Sequence, residues 1–355
     1  MSRRFLIVAA LPVLALGCRS EAPAQSHAPP DASFVLAGAT LVGVGVRDVE
    51  ISGGRIVKIA ASIPSARRID ESGRFLVPAL IDSHVHLAVL PRAEELATGG
   101  VAAVVDLASP KSFLARSHAP LEVLASGPMI TAPGGYPTQS WGQDGYGEEV
   151  SGPDAGAQAV NELFALGARV VKLPVTGPPV LDDATLEAVV RAAHAKGMKV
   201  ATHALSDAEA LRAAQAGADV LAHTPAETLS EETLAAWQGR AVISTLSAFG
   251  GSAAEANLAA LRARGVTVLY GTDFGNTTVL GASKAEIVAL EAAGLDGAAV
   301  LAAATRVPAG YWGFSGLGSI EAGKVASLLV LASDPTVDAS VLSEPVEVYL
   351  EGSRR

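Results

Sequence analysis

Through the middle of the chain, short apolar runs alternate with longer alanine-rich stretches whose apolar positions recur at helical spacing. The runs at Leu80 to Leu87, Val101 to Ala108, Leu121 to Ala125, Arg169 to Val175, Val200 to Ala204, Val220 to His223, Ala241 to Leu246 and Val266 to Gly271 read as strands. The stretches at Ala155 to Leu166, Asp183 to Lys196, Asp207 to Ala216, Glu231 to Gln238 and Ala253 to Arg264 read as helices. Gly167, Gly197, Gly217, Gly239 and Gly265 stand just past those helices, where a glycine can end the last turn. Near-continuous apolar strands separated by helices imply a parallel sheet covered on both faces. Eight such strands predict a (β/α)8 TIM-type barrel over residues 77–315, with the weakest units after strands two and three.

The flanking segments have a shorter period. From Ser33 to Val77, Val/Ile/Leu stretches are punctuated by glycine, and Ser52-Gly53-Gly54-Arg55 between two such stretches signals a hairpin. The tail repeats that texture at Ser327 to Leu331 and Val346 to Leu350. Neither piece has enough strands to bury a core alone. Together, residues 33–76 and 316–355 are expected to form one discontinuous β-sandwich domain.

The first residues follow neither pattern. Arg3 and Arg4 precede an apolar run from Phe5 to Leu16; that run is shorter than the roughly 20 residues a bilayer span needs, and it fits the core of an export signal. Residues 1–17 are therefore expected to be a signal peptide. Ala15-Leu16-Gly17-Cys18 resembles a bacterial lipobox, with Ala15 and Leu16 in each other's more usual places. On that reading Cys18 carries a lipid; the other is an ordinary signal cut later, for example after Ala24. Residues 18–32, rich in Pro, Ala and Ser, read as a flexible tether. Export to the periplasm or cell surface as a lipid-anchored protein follows, with membrane contact only through Cys18. Cys18 is the only cysteine, so no disulfide forms within the chain.

Composition narrows the partners. With 17% charged residues, a formal charge of −10 and no basic stripe, the chain lacks the clustered Lys and Arg that nucleic acid requires. A small-molecule substrate is the expected partner, and the sequence leaves the oligomeric state open.

In such a barrel the chemistry sits at the C-terminal ends of the strands. His84 and His86, two residues apart on strand one, point to the same side, as a metal-binding pincer or as a packed or solvated pair. Lys172 lies in Val170-Val171-Lys172-Leu173-Pro174, His203 and His223 end two further strands, and Asp273 follows Gly271-Thr272. Of seven histidines, four fall at these strand ends; His27, His118 and His194 are given no role. A lysine inside an apolar strand must be paired or neutralised. It either forms a salt bridge to Asp106 or Asp273, or it is neutral and takes up carbon dioxide as a carbamate able to bridge two metals.

The motif Val77-Pro78-Ala79-Leu80-Ile81-Asp82-Ser83-His84-Val85-His86, then Lys172, His203, His223, Gly271-Thr272-Asp273 and the tail from Gly318 to Leu328 resemble the metal-dependent amidohydrolase superfamily. The likeness runs from about Phe34 onward and points to the binuclear, prolidase-like and imidazolonepropionase-like members. It implies one metal on His84, His86 and Asp273 and another on His203 and His223, with carbamylated Lys172 and a water or hydroxide bridging them. Two such cations lower the pKa of the shared water and polarise a substrate carbonyl, and Asp273 moves the proton to the leaving nitrogen. Imidazole and carboxylate ligands suit zinc first, with manganese, cobalt or iron also fitting. Asp82 and Asp106 either orient ligand imidazoles or cap strand ends.

The sequence departs from relatives in two places. Tyr136 follows Pro133-Gly134-Gly135 where several carry histidine, and Leu205 stands where some have a second histidine. Tyr136 either donates a hydrogen bond to the substrate oxygen or packs under its loop. That loop, Thr131 to Pro153, is long and glycine-rich and holds Tyr136, Gln139, Trp141, Gln143, Asp144 and Tyr146, as specificity loops do. Cations are lacking after strands four to eight, the nearest being Lys111 and Arg116. This favours a neutral or cyclic amide, or a dipeptide-like one. The expected activity is metal-dependent hydrolysis of C–N bonds. The alternatives are ester, lactone or phosphotriester hydrolysis at the same site, or a catalytically silent binding lipoprotein.

Overall fold

The structure is a computed structural model that describes residues 33–65 and 67–355. The expected signal peptide (1–17) and tether (18–32), Cys18 included, lie outside the described residues.

Five short strands open the chain: Phe34–Leu41 (β1), Gly45–Ser52 (β2), Arg55–Ala60 (β3), Arg68–Asp70 (β4) and Phe75–Pro78 (β5). Gly53 and Gly54 take φ of 55° and 75°, the left-handed pair that a two-residue hairpin requires, and they join β2 to β3 as the sequence predicts. There follow Leu80–Val85 (β6), Val101–Asp106 (β7), Glu122–Ala125 (β8), Met129–Thr131 (β9), Gly147–Glu149 (β10), Val170–Pro174 (β11), Lys199–His203 (β12), Val220–Leu221 (β13), Ala241–Ile243 (β14) and Thr267–Leu269 (β15). Leu328–Leu331 (β16), Glu347–Leu350 (β17) and Ser353–Arg354 (β18) end the chain.

The terminal strands join in one sheet, ordered β18-β17-β16-β5-β1-β2-β3, with β4 on β1. The tail enters by β16 pairing antiparallel with β5, so the two distant segments share one structure. Its core comprises residues such as Leu36, Val49, Ile51, Ile56, Leu76, Leu328, Val330 and Tyr349. The expected sandwich of two sheets is instead one eight-stranded ladder. The reason is a bulge in β1 between Leu36 and Ala39, where Gly38 takes φ 73°: before it β1 pairs with β4, after it with β5. A bulge bends the strand and sharpens its twist, which lets two partners share one edge.

All eight expected barrel strands are present, as β6 to β8 and β11 to β15, and neighbours pair in parallel as arcs of three and five. They do not form one continuous ladder: the breaks fall between β8 and β11 and between β15 and β6. Isolated backbone hydrogen bonds carry the seams. Arg169 N–H donates to Ala125 O at 3.1 Å; at the other seam Ser83 N–H donates to Tyr270 O, His86 N–H to Phe274 O and Asp273 N–H to His84 O, at 2.9, 2.6 and 2.9 Å.

The helices are Ala93–Thr98 (α1), Pro153–Ala165 (α2), Asp183–Ala195 (α3), Asp207–Gln215 (α4), Glu231–Ala236 (α5), Leu246–Phe249 (α6), Ser252–Ala263 (α7), Lys284–Ala292 (α8), Gly297–Ala304 (α9) and Arg306–Trp312 (α10). The five expected from the apolar period are α2, α3, α4, α5 and α7, and each of the five glycines beyond them has positive φ. Strand two has only a 3-10 turn after it, at Lys111–Phe113, and after strand three the parallel pair β9–β10 comes before α2. That pair pins the base of the long glycine-rich loop. In place of the end of the seventh apolar run, the chain turns at Thr245 and forms α6.

Candidate metal centre

Every residue of β6 is buried, so its polar side chains must find partners inside the protein. His84 and His86 do point to the same side, with ring centroids 5.0 Å apart. Their Nε2 atoms lie 3.4 and 3.1 Å from Asp273 Oδ1. These three buried ligand atoms all fall within 4.8 Å of one another. Asp273 has φ 55°, a left-handed conformation that costs a non-glycine residue about 1–3 kcal/mol. The bond from its N–H to His84 O and the N–H groups of Asn276 and Thr277 on its carbonyl hold it there, and Asn276 Nδ2 donates to Oδ2 at 3.1 Å.

The other two strand-end histidines join the cluster. The His223 ring lies 4.6 Å from that of His84 and 4.7 Å from that of His203, so four imidazoles run in the order His86, His84, His223, His203. His84 Nδ1 meets Ala222 O at 2.9 Å; donation to that carbonyl leaves the Nε2 lone pair for the cluster. His223 Nδ1 meets Thr245 Oγ1 at 3.0 Å. Burial, reinforced by the other cations of the cluster, pushes His203 down to about 3 and holds His84 and His223 well below the ordinary imidazole range. Neutral imidazole is the form that binds metal.

Lys172 is buried with no hydrogen-bond partner on Nζ, so neither salt bridge considered for it, to Asp106 or to Asp273, is formed. Burial lowers its ammonium to about 7, against the pull of Asp273. His84 Nε2 and Asp273 Oδ1 are likewise buried without hydrogen-bond partners, and His86 turns its Nε2 to the same place. An unsatisfied buried polar atom costs about 1–3 kcal/mol. Several in one place, all lone-pair donors once the lysine is neutral or carboxylated, are the donor set of a metal site, and a divalent cation fits it.

Asp82 and Asp106 turn out to be caps. Asp82 accepts from the N–H groups of His84 (3.0 Å) and Thr272 (3.1 Å) and from the Thr272 hydroxyl (2.5 Å), which ties β6 to the turn carrying Asp273. Asp106 accepts from Leu87 N–H at 2.7 Å. Burial raises both carboxyls, to about 7 and about 6.

Above the histidines lies an aromatic roof. The Tyr136 ring packs 5.1 Å from His203, and the Trp141 ring 5.4 Å from His86. Trp141 Nε1–H donates to Tyr136 Oη at 2.8 Å, so one hydrogen-bonded pair spans both ends of the cluster. Phe249 of α6 packs 4.2 Å from His223. Tyr136 therefore packs on an imidazole and also presents a hydroxyl. Thr245 and Phe249 escaped the sequence reading, and Trp141 was read only as a member of the specificity loop, with no contact to the histidines. Of the two nearby cations, Lys111 is engaged by Glu148 and Glu162 at 2.8 and 3.8 Å. Arg116 lines a cavity of about 460 Å³ with Leu87, Phe113, His118 and Tyr146 at the barrel mouth.

A sequence model of the Amidohydrolase family matches residues 75–352, and the chain belongs to that family, whose members generally use divalent metal ions. An adenine deaminase of Deinococcus deserti is 28% identical over 315 residues, 80% of this chain; the chain spans 53% of that protein's length. An uncharacterised protein of Mycobacterium bovis is 26% identical over 79% of this chain and 85% of its own. Among solved structures, a Xaa-Pro dipeptidase with methionine bound in its active site superposes with a TM-score of 0.77 at 22% identity, covering 91% of this chain and all of that one. This likeness concerns the fold, a TIM-type barrel with an additional domain.

Proposed function

We propose that this protein hydrolyses the C–N bond of a small neutral, cyclic or dipeptide-like amide with two divalent ions, zinc first. His84, His86 and Asp273 would hold one ion and His203 and His223 the other, with Lys172, as a carbamate, serving as a further anionic ligand. The observation that carries this reading is the buried, unpartnered Lys172 amine in a strand end shared with four buried histidines and a buried carboxylate. A neutral amine adds carbon dioxide and releases one proton, which turns the misfit of a buried cation into an anionic ligand. The bound ions supply an activated water and polarise the substrate carbonyl.

The remaining work falls to this chain's own groups. Asp273, held by Asn276 and its own backbone bonds, accepts the proton of the attacking water at a carboxylate oxygen and returns it to the leaving nitrogen. The Tyr136 hydroxyl has a lone pair filled by Trp141 N–H, so its own proton is directed at the substrate oxygen, where negative charge develops. The rings of Tyr136, Trp141 and Phe249 exclude water from the reacting atoms and leave an uncharged surface for the acyl group. The family's deaminase and dipeptidase members act on C–N bonds, in keeping with an amide substrate.

A hydrolysis screen of zinc-loaded protein against dipeptides, N-acyl amino acids, cyclic imides and lactones tests the activity. Turnover of an amide or imide is expected. Turnover of lactones alone would replace the reading with ester hydrolysis, and a folded protein that retains no metal would end it.

A further inference from the structure

Glu286 of α8 is a carboxylate with no solvent exposure, unused by the chemistry above. Its Oε1 accepts from Leu246 N–H at 2.9 Å and its Oε2 from Ser247 N–H at 2.7 Å. Those two donors begin α6, a helix of only four residues that cannot hold itself together. The residue before it, Thr245, has φ 41°, a strained conformation for a β-branched residue. Thr245 is fixed from three directions: its Oγ1 meets His223 Nδ1 at 3.0 Å, its N–H donates to Gly271 O at 3.2 Å, and α6 begins immediately after it. From the end of α6, Phe249 packs on His223 and His203 at 4.2 and 5.9 Å. Both histidines assigned to the second ion are thus in contact with the short segment Thr245 to Phe249. That segment is anchored to the protein body by the Glu286 carboxylate.

We infer that Glu286 is a positioning residue for the second metal ion, acting through α6 and Thr245 on the orientation of His223 and His203. His84, His86 and Asp273 are held by different contacts, so the effect falls on one ion and spares the other. This inference rests on the two-ion reading above. Glutamine in place of Glu286 keeps one acceptor oxygen but turns an NH2 group toward one of the two N–H donors. The segment then loosens while the buried volume is unchanged.

Stepwise zinc titration of demetallated protein by calorimetry, with metal counted by mass spectrometry, separates the possibilities. Wild type is expected to bind in two steps; a single step would refute the two-ion reading itself. In Glu286→Gln the second dissociation constant is expected to rise about 10- to 100-fold with the first within twofold. Thr245→Val removes only the hydroxyl that meets His223 and is expected to shift the same step, with the double variant no worse than the stronger single one. If Glu286→Gln does not fold, Glu286→Asp, shorter by one methylene, is read the same way. Equal weakening of both steps, or an unchanged second step, in the folded Glu286 variant would overturn the inference and leave Glu286 as a purely structural cap.

Discussion

Lys172 decides the centre at the scale of single residues. Its type was readable as an anomaly in the sequence, because a lysine in the middle of an apolar strand demands a partner. Only the fold shows that, among the described residues, no carboxylate makes an ion pair with its Nζ, which favours the proposed carbamate over a salt bridge. Lys172→Ala is expected to leave less than one metal per chain after dialysis, read by mass spectrometry, with the far-UV circular dichroism unchanged. Full metal retention would remove its role as a ligand. Tyr136 was legible as a residue but not as a role, since a tyrosine after Gly134-Gly135 can pack or donate. The bond from Trp141 orients its hydroxyl, and Tyr136→Phe is expected to lower kcat about 100-fold with KM changed far less, because the donor acts on charge that develops during reaction.

Secondary-structure elements were the most legible level. Strand and helix periods, with a glycine beyond each of five helices, are local signals, and the elements lie where those signals stand. The misses have local causes too. α9, nearly all apolar over Gly297–Ala304, has no polar face to betray its period, and α6 is too short to show one. β1 exemplifies a feature set by a distant carboxylate: buried Asp48 of β2 accepts from Gly38 N–H at the bulge (2.9 Å) and Ile63 N–H (2.7 Å) and pairs with Arg68 at 2.8 Å. Burial works to raise that carboxyl, but the Ile63 and Gly38 N–H groups and Arg68 outweigh it and hold it below the ordinary 3.8. Its contribution to stability is therefore complete above about pH 4 and fades as pH falls through the depressed value. Asp48→Ala is expected to destabilise the protein by about 1–3 kcal/mol at pH 7, since it leaves a buried N–H unpaired, as measured by urea unfolding.

At the scale of the whole molecule, one sheet built from both terminal segments sits beside a barrel whose strand ends converge on the metal centre. The proposed export and anchoring belong to this scale: labelled lipid is expected to follow the wild-type protein into the membrane fraction and to be absent from Cys18→Ser, and equal labelling of both would end the lipoprotein proposal. The sequence by itself determined the order and type of the elements, the six polar residues at strand ends and the family, because strand and helix periods, turn glycines and a spaced motif are written along the chain. Tertiary structure alone decided which of those residues meet. It set the left-handed turns at Asp273 and Thr245, the missing partner of Lys172, the Trp141–Tyr136 bond and the hold of Glu286 on α6. All but the Trp141–Tyr136 bond depend on groups tens or hundreds of residues apart or on backbone strain that only surrounding contacts can sustain, and it is through those contacts that His84 and His86 join Asp273 in a group able to hold a metal.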